Sequence, residues 1–595
     1  MWRSILVLSC VISSPFALAD ERPNIIVFYT DDHGYADLSC QDVFDDVRTP
    51  NVDRLARSGV RALHGYSTAP QCVPSRAGLL VGKFQSKFGV ESNGKPLDGF
   101  NRELTIAERL QEIGYTTAQF GKWHLGPGSE ITKHGFKYVY NQNSQAAFAA
   151  NITTSGEDRP MGRIKPDMYH VDGCSHAAAS IIRRHTEDPF FLYIAYRAPH
   201  VPLDAPRKYL NRFPGKMPER RRQALAMLSA VDDGVGLIME TLASAGLTQK
   251  TLVFYIGDNG APLKIHKLDA PGGGPGWDGS LNDPLNGEKG MLSEGGMHVP
   301  FVVAFPSKIP AGQEYPHPIS ALDVAATAAE VAGLNADKGE FDGVNLIPFL
   351  SGQVKSAPHD ALMWRWVSQS AIREGDWKLL RGGQREYLYN LQSDLEEKNN
   401  LAAKFPDVAD RLRQRLQSWS QELSPPGLAT SNQATVWNDY FDFYLEGKPA
   451  KPPAPKSQLK NTQNGTSRIG PWLVRGGKLS TGDGVFGITP TGKQNPALIR
   501  NGMQLEGPIT VEMTIQTDSQ EPVRLHWRHA NEKSFQNENQ IAIPIEKTAE
   551  WQTLSTEIPS QNNVVHVRIN LPKAPVQFKS LQFSTSKGKS VALPK

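Results

Sequence analysis

The chain carries two kinds of hydrophobic pattern. Continuous apolar runs bounded by Pro, Gly or acids occur at Asn24–Thr30, Tyr115–Gly121, Pro189–Tyr196, Thr251–Ile256 and Val299–Phe305. Runs without polar alternation read as strands buried on both faces, as in a parallel sheet. Between them lie segments of helical character. One runs to Arg57 from the start Thr49-Pro50-Asn51, with Gly59 beyond it; another covers 104–113 with Gly114 as its stop. Two more cover 173–185 and 221–245, the latter ending at Gly246. The stretch from 127 to 172 reads as polar and irregular. Strands alternating with helices predict an α/β fold with a largely parallel sheet.

The pattern then changes twice. From 361 to 423, strands at Trp364–Ile372, Trp377–Leu380 and Tyr387–Leu391 precede a helix at Val408–Leu423, which reads as a small α+β piece. Residues 446–456, Glu-Gly-Lys-Pro-Ala-Lys-Pro-Pro-Ala-Pro-Lys, form a stiff, solvated linker. Beyond about Thr466 the runs are short and alternating, at Ile509–Ile515, Val523–Trp527, Ile541–Ile545, Val564–Ile569 and Val576–Phe583. That predicts an all-β, sandwich-like module. The expected organisation is an N-terminal signal at 1–19, an α/β domain at 20–360, an α+β subdomain at 361–445, a linker at 446–465 and a β module at 466–595.

Composition changes the picture at the N-terminus. Arg3 precedes the apolar run Ile5–Leu18, which is too short to span a bilayer, and Ala17-Leu18-Ala19 forms an A-x-A cleavage site. The expected location is therefore secreted or periplasmic, with no membrane span in the mature chain. Net charge is +3 over 595 residues, which gives no bulk attraction for nucleic acid. Removal of the signal leaves Cys40, Cys72 and Cys174. An odd count in an exported protein flags one special thiol; Cys40 and Cys174 either pair or are buried thiols.

Candidate chemistry gathers where the apolar runs end. Asp31-Asp32, Lys122 and His124, His200, and Asp258-Asn259 each follow a predicted strand. Any one of these would pass as an ordinary loop residue. At four successive strand ends they would share the edge where open α/β sheets bind ligands. Asp31, Asp32, Asp258 and Asn259 offer hard oxygen donors without a thiolate or imidazole cluster, a set suited to Ca²⁺ or Mg²⁺ rather than zinc.

The segment Cys72-Val73-Pro74-Ser75-Arg76 opens a helix-like run. Pro and Ser suit a first helical turn, whose free N–H groups and dipole create an anion site beside Cys72. This pentapeptide resembles the signature of the type I sulfatases, and Gly82-Lys83 falls where that signature continues. Gly121-Lys122-Trp123-His124-Leu125-Gly126 resembles the family's second signature, Ala198-Pro199-His200 its proton-donor segment, and Lys289-Gly290 before Glu294-Gly295-Gly296 its second sulfate-binding lysine. Trp377-Lys378-Leu379-Leu380 and Leu388-Tyr389-Asn390-Leu391 match its C-terminal subdomain, so the likeness covers about 22–402.

The resemblance implies an alkaline-phosphatase-like fold. It also implies that Cys72 is oxidised before folding to formylglycine (3-oxoalanine) by a formylglycine-generating enzyme, and that the hydrate is the nucleophile. Ca²⁺ would be held by Asp31, Asp32, Asp258, Asn259 and the residue at 72. Arg76 would hold the nucleophile, Lys122 and Lys289 the sulfate; His124 would interact with the nucleophile's second hydroxyl, and His200 would be the general acid. One departure is visible: Met297-His298-Val299-Pro300 stands where the family usually reads Arg-Val-Pro.

The Gly/Pro-rich stretch 264–286 offers Lys264, His266, Lys267 and Trp277 as substrate-binding candidates, since cations beside an aromatic suit an anionic sugar chain; a solvated surface loop is the alternative. With an export signal and a β module, the expected substrate is a sulfated polysaccharide, as in bacterial sulfatases acting on ulvan or carrageenan. Two further classes stand beside this: a phosphatase or phosphodiesterase of the same fold, whose additional His ligands for zinc are not found here, and a non-catalytic sulfated-glycan-binding protein.

Overall fold

All eight residues of the strand Asn24–Asp31 are buried, and their alternation explains why. Ile25, Val27 and Tyr29 enter one core, and Ile26 and Phe28 another on the opposite face. Such a strand needs neighbours on both edges and helices on both faces. Phe190–Pro199 and Thr251–Gly257 flank it in parallel, so that Ile26 lies beside Leu192 and Val253. Thr116–Gly121 and Tyr138–Tyr140 extend the parallel part. The helices Cys72–Val81, Ile106–Glu112 and Asp323–Val331 supply one core; Pro50–Arg57, His170–Arg184 and Glu219–Ser244 supply the other.

This computed structural model describes residues 22–93, 97–263, 279–334, 339–424, 438–449, 459–462, 466–482, 484–491, 495–529, 532, 535–586 and 588–593. The expected signal peptide, most of the linker, and Lys264, His266, Lys267 and Trp277 lie outside the described residues.

The full sheet has ten strands and is mixed at its margins. The fifth apolar run becomes Phe301–Ala304, which runs antiparallel to Thr251–Gly257. The stretch expected to be irregular contains Phe148–Ile152 and Asp158–Ile164, which close one edge antiparallel. Their half-exposed, polar-facing pattern hid them, as suits an edge with one solvated side.

The chain divides into two compact units, Met1–Pro452 and Pro453–Lys595. Within the first, a four-stranded antiparallel meander follows the large sheet. The single strand expected at Trp364–Ile372 is a hairpin, Leu362–Trp366 and Gln369–Glu374, turned by Val367 at φ 57°. One face of the meander packs on the helix Pro406–Ser420, and the other on Tyr66, Met291, Leu292 and Met297. The second unit pairs a seven-stranded with a six-stranded sheet around one core, in which Trp472 and Leu498 meet Phe583 and Met513.

Candidate active site

Cys72 is the first residue of the helix Cys72–Val81, after Gln71 in an extended conformation. Pro74 sits in the first turn, where its missing N–H costs nothing. The helix stops at Gly82, in the left-handed region at φ 71°, where a Cβ would also press on Phe341 and Ala325. All ten helical residues are buried, and Val73, Ala77, Leu79, Leu80 and Val81 belong to the core on one face of the sheet.

At that edge the strand termini converge. Asp31 ends its strand, and Asp32 follows at φ 59°, which breaks strand alternation and lets consecutive carboxylates serve one place. Cys72 Sγ donates to Asp31 Oδ1 at 3.2 Å and lies 3.2 Å from Lys289 Nζ. Lys122 Nζ donates to Asp31 Oδ2, and Lys289 Nζ to Asp32 Oδ1, each at 2.5 Å. Asp258 accepts the Asp32 N–H at 3.0 Å and an Arg76 N–H at 2.8 Å. Ligand atoms of Asp31, Asp32, Cys72 and His200 all lie within 4.8 Å of one another.

Three buried carboxylates therefore face three cations, Arg76, Lys122 and Lys289. Burial raises the Asp31 carboxyl, yet Lys122, then His200, Arg76 and Lys289, outweigh it and hold it well below the usual range. Asp258 is pushed up to about 7, by burial first and by Asp31 second. Burial and Asp31 push the Cys72 thiol up to about 12. A thiol so protonated is a poor nucleophile near neutral pH.

Asn259 tests whether a cation fits. Its Nδ2 donates to Asp32 Oδ1 at 2.7 Å and to the Gly260 carbonyl at 2.9 Å. Its Oδ1 is buried and has no hydrogen-bond partner. An unmatched carbonyl oxygen beside three carboxylates, with no imidazole cluster, fits a hard divalent ion.

His200 follows the strand Phe190–Pro199. Its Nδ1 donates to the Val201 carbonyl at 2.6 Å, because a carbonyl can only accept. Nε2 is therefore the atom facing the site, 3.5 Å from Asp32 Oδ2. Arg197 pins the same turn, donating to the Val201 and Pro202 carbonyls at 2.7 and 3.1 Å. Sequence reasoning passed over Arg197, although an arginine closing an apolar strand run was a usable signal.

Arg76 is fully buried over the Tyr29 ring at 5.4 Å and also donates to the Lys122 carbonyl at 3.0 Å. It braces Asp258 and the Lys122 backbone rather than touching Cys72 directly. His124 is brought to the same strand end with φ 63°, but its side chain is exposed and bonds to none of the described residues. The C-terminal meander also reaches the site: Gln369 Nε2 donates to the Gly290 carbonyl at 2.9 Å, and its Oε1 accepts the Leu292 N–H at 3.0 Å. That clamp fixes the turn carrying Lys289, and nothing local in the sequence announced it. His298, which stands where the family usually reads Arg, is buried; its Nδ1 lies 3.1 Å from Glu294 Oε2. Cys40 and Cys174 are free thiols, as is Cys72.

The sulfatase family model matches residues 23–334, and that of the C-terminal region of N-sulphoglucosamine sulphohydrolase matches 287–422. Mouse N-acetylgalactosamine-6-sulfatase is 30% identical over 393 residues, 60% of this chain and 72% of its own. N-acetylgalactosamine-6-O-sulfatase of Bacteroides thetaiotaomicron is 27% identical over 493 residues, 67% of this chain and 93% of its own. Among solved structures, Ps i-CgsB in complex with k-i-k-neocarrahexaose superposes with a TM-score of 0.59 at 28% identity, covering 70% of this chain and 97% of that one.

Proposed function

The chain belongs to the sulfatase family and is a sulfuric ester hydrolase acting on carbohydrates, and from that premise we propose that its substrate is a sulfated polysaccharide or oligosaccharide of the carrageenan or ulvan kind, cleaved with a formylglycine at position 72 and Ca²⁺. The observation that carries this reading is the placement of Cys72 Sγ between the Asp31 carboxylate and the Lys289 ammonium at a helix start. A buried thiol there, held protonated, is ill-suited to act as itself. Converted to a hydrated aldehyde, the same position would offer one hydroxyl for attack on sulfur and a second through which sulfate could later be expelled.

Bound Ca²⁺ would supply Lewis acidity toward a sulfate oxygen and toward the attacking hydroxyl, with Asp31, Asp32, Asp258 and Asn259 as its holders. Lys122 and Lys289 would bind the anionic sulfate oxygens. Arg76 keeps Asp258 and the Lys122 backbone in position. His200 keeps its Nδ1 proton on the Val201 carbonyl, so Nε2 must carry a second proton to give to the departing sugar oxygen. Asp32 Oδ2 lies 3.5 Å from that Nε2. His124, exposed at the same strand end, is assigned to the nucleophile's second hydroxyl.

No helix among the described residues is long and apolar enough to cross a membrane. The N-terminal pattern supports export, and the buried Cys72 requires its converting enzyme to act on an open chain. The test is the mass of the Cys72 peptide from purified active protein. The aldehyde mass is expected; full activity with only unmodified cysteine would overturn the reading. Cys72→Ala should fold and lose turnover.

A further inference from the structure

The outward face of the seven-stranded sheet in the second unit is strongly basic. Residues paired across antiparallel strands share a face, and the pairing sorts them into rows. Trp472, Val474, Leu498, Leu525, Val567 and Ile569 point into the core, so their strand neighbours point out. One outward row runs Arg475, Ala497, Asn570, Arg524, Ala542. The next runs Leu473, Ile499, Arg568, His526, Gln540, and the third joins Asn501, His566 and Arg528. None of these positions is acidic; the acidic residue on this face is Glu506, paired with Asn563 beyond the bulge in its strand. Among the described residues, no carboxylate lies within ion-pair distance of Arg475, Arg524, Arg528 or Arg568.

The carboxylates of adjoining loops are engaged by other hydrogen bonds, although the Arg524 charge also reaches Glu521. Glu521 accepts from Asn495 Nδ2 at 2.6 Å and from the Lys573 N–H at 3.0 Å. Glu532 accepts the His529 N–H at 2.8 Å. Burial, followed by Arg568 and Arg524, disfavours protonation of His526; burial, followed by Arg528 and Arg568, does the same for His566. No carboxylate offsets either effect.

Phe535 lies on this face. The Arg568 guanidinium sits 4.8 Å from its ring centre, and the His566 ring meets it edge-on at 4.7 Å. Arg568 Nε and His566 Nε2 are buried without a hydrogen-bond partner. Strands lie about 4.8 Å apart, so Arg475 and Arg524, three strands from one another, stand roughly 14 Å apart across the sheet. That is room for several units of a polymer rather than a pocket for one small ion.

We infer that this face is a second, non-catalytic binding site for a sulfated polysaccharide chain. Planar guanidinium forks match sulfate oxygens, and an aromatic ring face suits the apolar C–H face of a sugar. The choice of a sulfated glycan over other polyanions rests on the sulfatase reading of the first unit; the binding itself does not.

The test is affinity electrophoresis of the whole chain through gels containing iota-carrageenan, agarose or polyglutamate. Iota-carrageenan should retard the wild-type protein, while agarose should not and polyglutamate should do so far less. The triple variant R524S/R528S/R568S should lose at least tenfold in apparent affinity, with p-nitrophenyl sulfate turnover and melting temperature unchanged. Should removing Arg568 from Phe535 lower the melting temperature, R475S/R524S, two exposed residues, must show the same loss in weaker form. Retained retardation in both variants would overturn the proposal, as would equal retardation by polyglutamate or a loss produced by Cys72→Ala but not by the arginine variants. Retardation by carrageenan in a protein that hydrolyses no sulfate ester would instead sink the sulfatase reading and leave this site standing.

Discussion

At the scale of single residues, the division of labour between His200 and the two lysines is open to measurement. A sugar alkoxide leaves poorly, whereas a nitrophenolate leaves readily. His200→Ala should therefore slow cleavage of a sugar sulfate by roughly 10²–10⁴-fold and that of an activated aryl sulfate much less. Lys122→Ala or Lys289→Ala should damage both alike, since both substrates present the same sulfate. Equal slowing of the two substrates by His200→Ala would reduce His200 to a binding or structural group and turn attention to His124. Asn259 allows a separate measurement. Its unmatched Oδ1 makes it a neutral oxygen donor, so Asn259→Ala should weaken Ca²⁺ binding in calorimetry while leaving conversion of Cys72 unchanged. Unaltered affinity would remove Asn259 from the ligand set.

Elements explain why these residues meet. The central strands were legible because burial on both faces leaves no polar alternation, and the candidate residues stood out as the first polar groups beyond each run. What stayed hidden was non-local or half-solvated. The Gln369 clamp joins residues about eighty positions apart through backbone bonds that carry no sequence signature. The hairpin at 362–374 read as one strand because its turn is made by Val367, which is no turn former. The clamp predicts that Gln369→Ala costs roughly 1–3 kcal/mol of stability through orphaned buried groups. It should also raise KM for every sulfate ester, because Lys289 loses its brace; unchanged KM with lowered stability would make the clamp purely structural.

A second element-scale prediction concerns pH. His64 lies by His298, His317 and Arg373 where the meander joins the large sheet, and burial, with Arg373 and His298, lowers it to about 3. In the unfolded chain a histidine titrates near 6.5. As pH falls from about 6.5 toward 3, the unfolded chain gains a proton that the folded one refuses, and stability is lost. His64→Gln should shrink the drop in melting temperature between pH 7 and pH 5; an unchanged drop would place the acid sensitivity elsewhere.

For the whole molecule, the two units have separate cores, with the Pro/Lys-rich stretch 446–456 where they meet in sequence. Limited proteolysis there should leave a body that hydrolyses p-nitrophenyl sulfate at the parental rate but no longer lags in carrageenan gels. Loss of aryl-sulfate turnover on cleavage would show that the β module sustains the catalytic fold.

The pairing of the central strand also sets a timetable. Ile25 lies beside Phe191 on one edge and Leu252 on the other. The first of the described strands to leave the ribosome is thus among the last to find its partners, and contacts that distant in sequence close slowly. At roughly 5–20 residues per second, synthesis from position 72 to the end of the Thr251–Gly257 strand, 257 − 72 = 185 residues, takes on the order of 10–40 s. For that interval the cysteine that ends fully buried is still on an unfinished sheet. The topology thereby grants a modifying enzyme a waiting time that a fold built from local contacts would not.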